Sequence, residues 1–166
     1  MPHCAVTLEE LLADFNLTAA RWQAFFAEHP QAADATTDIA HSTRVSDLVW
    51  HICAVSYRHS ERVLGLPVTD LEALHPQKTL DSAWKLHATA AENLAQFLAQ
   101  AEDETFDRVA TFNTRTAGEI SGTYRKLCLH LFIHAIRHWA QIGPIVRQNG
   151  FTPNWLQDIF FSTAIP

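Results

Sequence analysis

The sequence contains few of the residues that mark disulfide scaffolds, turn-rich β domains or exported proteins. Its 3 cysteines, Cys4, Cys53 and Cys128, are odd in number and widely spaced. We therefore expect reduced thiols in a cytoplasm and no disulfide framework. The 5 glycines and 7 prolines are too few for a β-sandwich with many turns. The N-terminal residues lack a basic region followed by a long apolar run, which predicts no signal peptide.

Long apolar runs and an excess of positive charge are also missing. The most apolar stretch, residues 127–136, is interrupted by His130 and His134 and is too short to cross a bilayer. The net charge is −6 and the pI is about 5.9. This acidic balance argues against a general binder of phosphate backbones. We predict no nucleic-acid partner and no membrane partner.

Amphipathic helices dominate what the sequence does contain. Hydrophobic residues make up 48% of the chain and charged residues 18%, which supports one core in a single domain over residues 1–166. Apolar residues recur at steps of three and four in four segments, the period of a helix with one buried face. The predicted helices cover about residues 7–28, 44–64, 80–101 and 121–148. Four such helices predict an all-α fold, a four-helix bundle.

The ends of these helices carry recognisable capping signals. Thr7 and Glu10 predict a capping box at the start of the first helix. Ser42 or Thr43 is expected to cap the second helix, and Gly65 is expected to end it.

Long connections join the predicted helices. Residues 65–79 and 102–120 are long enough to cross the end of a bundle. The β-branched and turn residues of 102–120 predict an extended segment or a short hairpin lying across the helices. A short fifth helix is expected over residues 153–160 near the C-terminus.

Two of the 10 histidines share one face of the fourth helix. His134 and His138 are four residues apart, so their imidazoles lie one above the other on that helix. A helical wheel places both near Leu127 and Leu131, in the middle of the predicted inward stripe. This spacing lets one helix offer two nitrogens to one metal ion. Two buried histidines that hydrogen-bond to core neighbours explain the same pattern, and both interpretations stay open at this point.

A shared metal ion would need a third ligand from another helix. His51 and His59 lie on the second helix, about 12 Å apart along its axis, so they cannot both bind one ion. His87 lies on the inward stripe of the third helix, and His130 lies one turn before His134. Periodicity alone does not choose among His51, His59 and His87.

Two segments resemble the signatures of the DinB/YfiT-like family. HAIRHWAQIGPIVRQNG contains His134, His138, Gln141 and a helix-ending Gly150, spaced as in the last helix of that family. DLVWHICAVSYRHSERVLGLP resembles the family's other signature, in which a histidine follows an apolar run, and His51 matches that histidine. The resemblance covers essentially the whole chain. Trp139 departs from it, because a small basic residue is common at that position.

The resemblance implies a divalent metal, most simply zinc or nickel, held by His51, His134 and His138. It also implies frequent homodimers. Some branches of the family are S-transferases or isomerases that use a low-molecular-weight thiol as cosubstrate. Metal-bound water or thiol loses its proton readily. We therefore expect a metal-dependent transferase or hydrolase. A non-catalytic metal-binding bundle and a structural or interaction protein are the alternatives.

Five further side chains have possible roles beside such a site. Each also has a simpler interpretation, as a solvated side chain or as core packing. Asp47 could orient His51, Gln141 could contact water or substrate, and Tyr124 could donate a proton. Arg58 and Arg62 could bind an anionic thiol or carboxylate.

The fourth helix has a second apolar face, which needs a cover. This face contains Leu129, Phe132, Ile133, Ile136 and Ala140. Residues 102–120 could cover it, as could the C-terminal aromatic residues or the same helix of a second subunit. The implied homodimer favours the second subunit.

Overall fold

The computed structural model describes residues 6–114 and 118–165. Four long helices form the bundle: α1 (Leu8–Glu28), α2 (Val45–Leu64), α4 (Leu80–Gln100) and α6 (Tyr124–Gln148). Two short helices, α3 (Leu71–Leu74) and α5 (Asp103–Asp107), lie in the connections. The strands β1 (Val109–Thr114) and β2 (Gly118–Thr123) form an antiparallel hairpin just before α6. The fold is all-α apart from this hairpin.

The order of helices around the bundle sets which faces meet. Both α1 and α2 pack against α4 and α6, so α1 and α2 lie diagonally across the bundle although they are consecutive in sequence. The long connections are needed for this arrangement. Because α2 packs directly against α6, His51 on α2 lies on a helix adjacent to the one that carries His134 and His138.

A stack of indole rings fills the centre of the bundle. The ring of Trp139 on α6 lies nearly parallel to Trp22 on α1 at 6.0 Å and to Trp84 on α4 at 6.2 Å. Trp139 and Trp22 are almost fully buried, and rings of this size contribute much of the apolar area in a core. Trp139 therefore packs three helices together, which accounts for a large residue at a position where the resembling family commonly has a small basic one.

The helix ends follow the predicted capping signals with one exception. Thr7 and Glu10 form the predicted capping box, and Gly65 ends α2 in the left-handed conformation with φ 69°. The prediction of Ser42 or Thr43 as the cap of α2 is wrong. The cap position is Arg44, whose backbone N–H donates to the Asp47 carboxylate at 2.9 Å.

Residues 102–123 differ in detail from the predicted extended segment. The first part forms α5, and the hairpin runs on to Thr123, so α6 begins at Tyr124 and not at 121. The reason is pairing across the hairpin: residues 118–123 oppose 109–114 in register, which keeps them out of the helix. The hairpin itself was one of the two predicted conformations.

The C-terminal segment is less helical than predicted. Its only helical turn within the described residues is a 3-10 turn, Ile159–Phe161, and not the expected 153–160. The segment still packs on the bundle, because Trp155 contacts Trp22 and Phe25 edge to face. Among the described residues, no helix is long and apolar enough to cross a membrane.

Candidate metal centre

Three histidines from two helices converge at one point of the bundle. His51 comes from α2, and His134 and His138 come from successive turns of α6. One ring nitrogen of each lies within 4.8 Å of the other two, close enough to share one cation. Their ring centroids are 4.5–5.2 Å apart. Within residues 6–114 and 118–165, this is the one cluster of three metal-ligating side chains that the structure brings together.

The position of the histidines on α6 corrects the sequence-based wheel. The buried stripe of α6 is centred on Ala135, Trp139 and Ile142, and Trp139 stacks on Trp22 of α1 and Trp84 of α4. His134 and His138 are only half-buried and lie at the edge of this stripe, not in its middle. The edge position turns both imidazoles toward α2 and solvent, where a ligand can reach them.

Hydrogen bonding prepares the ring of His138 to bind a cation, and the ring of His134 has a nitrogen left unpaired. Nδ1 of His138 donates to the side-chain oxygen of Gln141 at 2.7 Å, which fixes the tautomer and leaves Nε2 with its free lone pair. Nδ1 of His134 is buried and has no hydrogen-bond partner among the described residues. A buried unpaired nitrogen costs free energy. The donor set therefore fits a divalent cation such as zinc.

The site keeps the imidazoles of His51 and His134 neutral. Burial, reinforced by the neighbouring His138, lowers the pKa of His51 to about 4. Burial also lowers the pKa of His134 to about 3, with the other histidines of the cluster adding to the effect. Only a neutral imidazole can bind a metal ion. At neutral pH these two side chains are already in the ligand form.

The structure separates the competing histidines from this cluster. His87 on α4 lies against the ring of Phe15, with centroids 4.3 Å apart. His59 is buried beside His130 at a centroid distance of 5.1 Å, further along α2. His130 is 5.6 Å from His134 and is the nearest neighbour of the cluster. Of the three histidines that periodicity left open, only His51 joins His134 and His138.

Three other predicted site residues have definite roles in the structure. Asp47 accepts hydrogen bonds from Lys78 at 2.8 Å and from Thr43 at 2.9 Å, so it stabilises the start of α2 and does not orient His51. Gln141 holds His138, which was not its predicted role. Tyr124 stacks on Phe97 with centroids 5.9 Å apart, and this contact is core packing.

A cleft of about 1180 Å³ opens beside the histidine cluster. His51 and His134 line it, Arg58 and Arg62 extend along the same wall, and Phe112 of the hairpin faces them. The contribution of the hairpin was not recognised from the sequence. In β1 every second residue, including Phe112, is partly buried, but the sequence of the strand does not alternate between apolar and polar residues in the same way.

The described cysteines are unsuited to act as nucleophiles. Cys53 and Cys128 are free and fully buried. Burial raises the pKa of both thiols, that of Cys128 to about 12, so neither forms a thiolate at neutral pH. Cys4 lies outside the described residues. If this site uses sulfur chemistry, neither Cys53 nor Cys128 supplies the sulfur.

Comparison with known proteins agrees with the geometry. No match was found among proteins of curated function. The sequence model of the DinB family matches residues 3–164, which is nearly the whole chain and includes all the elements that carry the histidine cluster. The chain therefore belongs to the DinB family.

Proposed function

We propose that this protein is a metal-dependent enzyme whose divalent cation, zinc or nickel, is held by His51, His134 and His138. The observation that carries the proposal is that a three-histidine cluster opens on a large cleft. A cation held by three imidazoles keeps at least one position free for water or substrate. The chemistry that such a cation supplies is to lower the pKa of a water or thiol bound to it.

The protein's own groups hold and expose this site. Gln141 fixes the ring of His138 by accepting its Nδ1 proton. Partial burial keeps His51 and His134 neutral and ready to bind. The cleft walls from α2, α6 and the hairpin shield one side of the cluster from bulk water and leave room for a small organic substrate.

Thiol transfer is the reaction that we favour, and hydrolysis by a bound water is the alternative. Because Cys53 and Cys128 are buried, the sulfur nucleophile would be a low-molecular-weight thiol that enters as cosubstrate. In the transfer, the thiol loses its proton to solvent, a sulfur–carbon bond forms, and the leaving group departs with the electron pair of the broken bond.

A metal store would not need a cleft of this size. Storage is best served by a closed site, whereas His51 and His134 border an open cavity that continues along α2 and beneath the hairpin. A purely structural bundle would not need three imidazoles that converge within 4.8 Å of one another beside an open cleft. The geometry therefore supports catalysis over both alternatives.

The proposal is tested on protein loaded with Zn²⁺, Ni²⁺ or Co²⁺. We expect one metal ion per chain by elemental analysis, and a change in the visible spectrum of the Co²⁺ form when 2-mercaptoethanol is added. Turnover is then measured with a thiol plus an aryl chloride, and separately with an aryl ester. No bound metal would overturn the proposal, and metal without spectral change or turnover would indicate a store.

We also propose that the protein is a homodimer joined through α6. Leu129, Ile133 and Ile136 are 36%, 44% and 39% exposed, and neither the hairpin nor the described C-terminal residues cover them. Phe132, which we predicted on this face, is instead buried against Phe15. The remaining ridge of apolar side chains fits a second copy of the same helix about a two-fold axis.

Replacing Ile133 by aspartate is expected to break this dimer. A buried, unpaired carboxylate at the centre of an apolar interface costs several kcal/mol, so the mass in solution should fall from twice 18.7 kDa to 18.7 kDa. Light scattering at micromolar concentration measures this. Leu66→Asp is the matched control, because Leu66 is also 44% exposed but lies after α2. A wild-type mass of 18.7 kDa would contradict the proposed dimer.

A further inference from the structure

Among the described residues, two arginines in the cleft have no carboxylate in direct contact. Arg58 and Arg62 are one turn apart on α2, and both line the cleft. Within the described residues, neither guanidinium forms an ion pair, and the Nε–H of each is buried without a hydrogen-bond partner. Both side chains are half-buried, and shielding a guanidinium from water without a carboxylate in contact costs free energy. Two neighbouring guanidinium groups without an ion-pair partner can together bind an anion through charge-assisted hydrogen bonds.

The surroundings hold Arg62 in place without neutralising it. Its guanidinium lies 4.3 Å from the centre of the Phe112 ring, and its Nη1 donates to Nδ1 of His59 at 3.2 Å. Burial and the nearby Arg58 lower the pKa of Arg62 to about 10. Arg62 is therefore still charged at neutral pH. These contacts orient the side chain and bring no carboxylate into contact with it, and the Glu61 carboxylate offsets its charge only in part.

The acidic groups around the cleft have other partners, and Glu72, which also lines the cleft, is not free either. The Glu61 carboxylate, next to Arg62 in sequence, accepts the backbone N–H of Thr69 at 2.9 Å. Asp47 is paired with Lys78. Asp70 accepts the backbone N–H of Glu72 at the start of α3. Lys126, at the start of α6, adds a further cation to the lining of the cleft.

We propose that Arg58 and Arg62 bind an anionic oxygen group, a carboxylate or a phosphate, at one end of an elongated organic substrate. The substrate's reacting end would lie at the histidine cluster, and only that part of the inference rests on the proposed function. Arg58 and Arg62 are seven and eleven residues beyond His51, about 10 and 16 Å along the axis of α2. Val55, Leu127 and Ile120 line the cleft and suit an apolar middle segment.

The test measures binding of octanoate, octyl phosphate and octan-1-ol to the Zn²⁺-loaded protein by calorimetry. We expect one or both anions to bind and the alcohol to bind at least about tenfold more weakly, because a charge-assisted hydrogen bond contributes about 1.5–3 kcal/mol. A preference between the two anions identifies the carboxylate or the phosphate as the recognised group. Equal binding of the alcohol would overturn the proposal.

Matched variants locate the anion. Arg58→Gln and Arg62→Gln are each expected to weaken anion binding about tenfold or more. Arg147→Gln removes the same charge from an exposed position outside the cleft and should have no effect. Because Arg58→Gln leaves the Arg62–Phe112 contact intact, its effect cannot come from a displaced hairpin. Anion binding that is unchanged in both cleft variants would overturn the site. An anion that binds to the metal instead of the arginines would give this result.

A second measurement does not depend on the variants folding. In the wild-type protein, the ¹⁵N-labelled Nε–H signals of Arg58 and Arg62 should shift when octanoate or octyl phosphate is added, and that of Arg147 should not. Signals that stay fixed would overturn the site. Metal content of the same samples is measured separately, so that loss of the anion site and loss of the metal centre give distinguishable results.

Discussion

Replacing His138 by alanine is expected to abolish stoichiometric metal binding. The three imidazoles are the only ligands that the described residues bring together, so the variant keeps two protein ligands. Losing an outer hydrogen-bond partner already weakens metal binding about 10–100-fold, and losing a ligand should cost more. His51→Ala and His134→Ala should behave alike. Competitive Zn²⁺ titration and elemental analysis of the purified proteins measure the effect.

Neighbouring histidines provide the controls for this experiment. His130→Ala removes the imidazole nearest the cluster, 5.6 Å from His134, and should change metal affinity little. His87→Ala, against Phe15, should also keep one metal per chain. Gln141→Leu is expected to weaken binding about tenfold, because His138 then loses the partner that orients it. A loss of metal in the His130 or His87 variant as large as in His138→Ala would contradict the assigned ligands.

The helices of this protein could be predicted because their signals are local. The three-and-four spacing of apolar residues, the Thr7 capping box and Gly65 each act within a few residues of chain. The hairpin was harder, because strands are defined by a partner at a distance. The sequence predicts an extended segment or hairpin only as far as residue 120 and a helix from 121, and pairing with β1 places residues 121–123 in the hairpin.

Local spacing predicted only two of the three proposed metal ligands. The spacing of His134 and His138 places them together on any helix. The choice of His51 depends on how α2 is rotated against α6, which a helical wheel of either helix cannot give. Only the family resemblance named His51, and the structure brings the three side chains together. Phe132 shows the same limit: its wheel position suggested an exposed face, but α1 places Phe15 against it.

Acid is expected to destabilise the folded protein strongly between pH 6.5 and pH 4. Burial lowers the pKa of His87 from 6.5 to about 4. The unfolded chain therefore takes up a proton at His87 at a higher pH than the folded chain does. The contribution of neutral His87 to the free energy of unfolding is complete above pH 6.5 and is lost as the pH falls toward 4. His51, His59 and His134 also have lowered pKa values and act in the same direction.

The contribution of His87 can be isolated because it lies outside the metal cluster. At pH 5 the difference between its folded and unfolded pKa corresponds to a loss of about 1–2 kcal/mol relative to pH 7, allowing for its partial exposure. His87→Leu removes the titrating group and the buried, unpaired Nδ1. The variant should be at least as stable as the wild type at pH 7 and more stable than it at pH 5. Urea unfolding at both pH values measures these free energies.

The comparison of the two pH values separates protonation from packing. If His87→Leu stabilised the protein only by filling space beside Phe15, its gain would be the same at pH 7 and pH 5. Protonation instead requires the gain to grow by about 1–2 kcal/mol as the pH falls, because only the unfolded wild type takes up the extra proton. His75→Leu, at an exposed position, should leave the pH difference unchanged. An equal gain for His87→Leu at both pH values would show that His87 is not the buried neutral base that its contacts indicate.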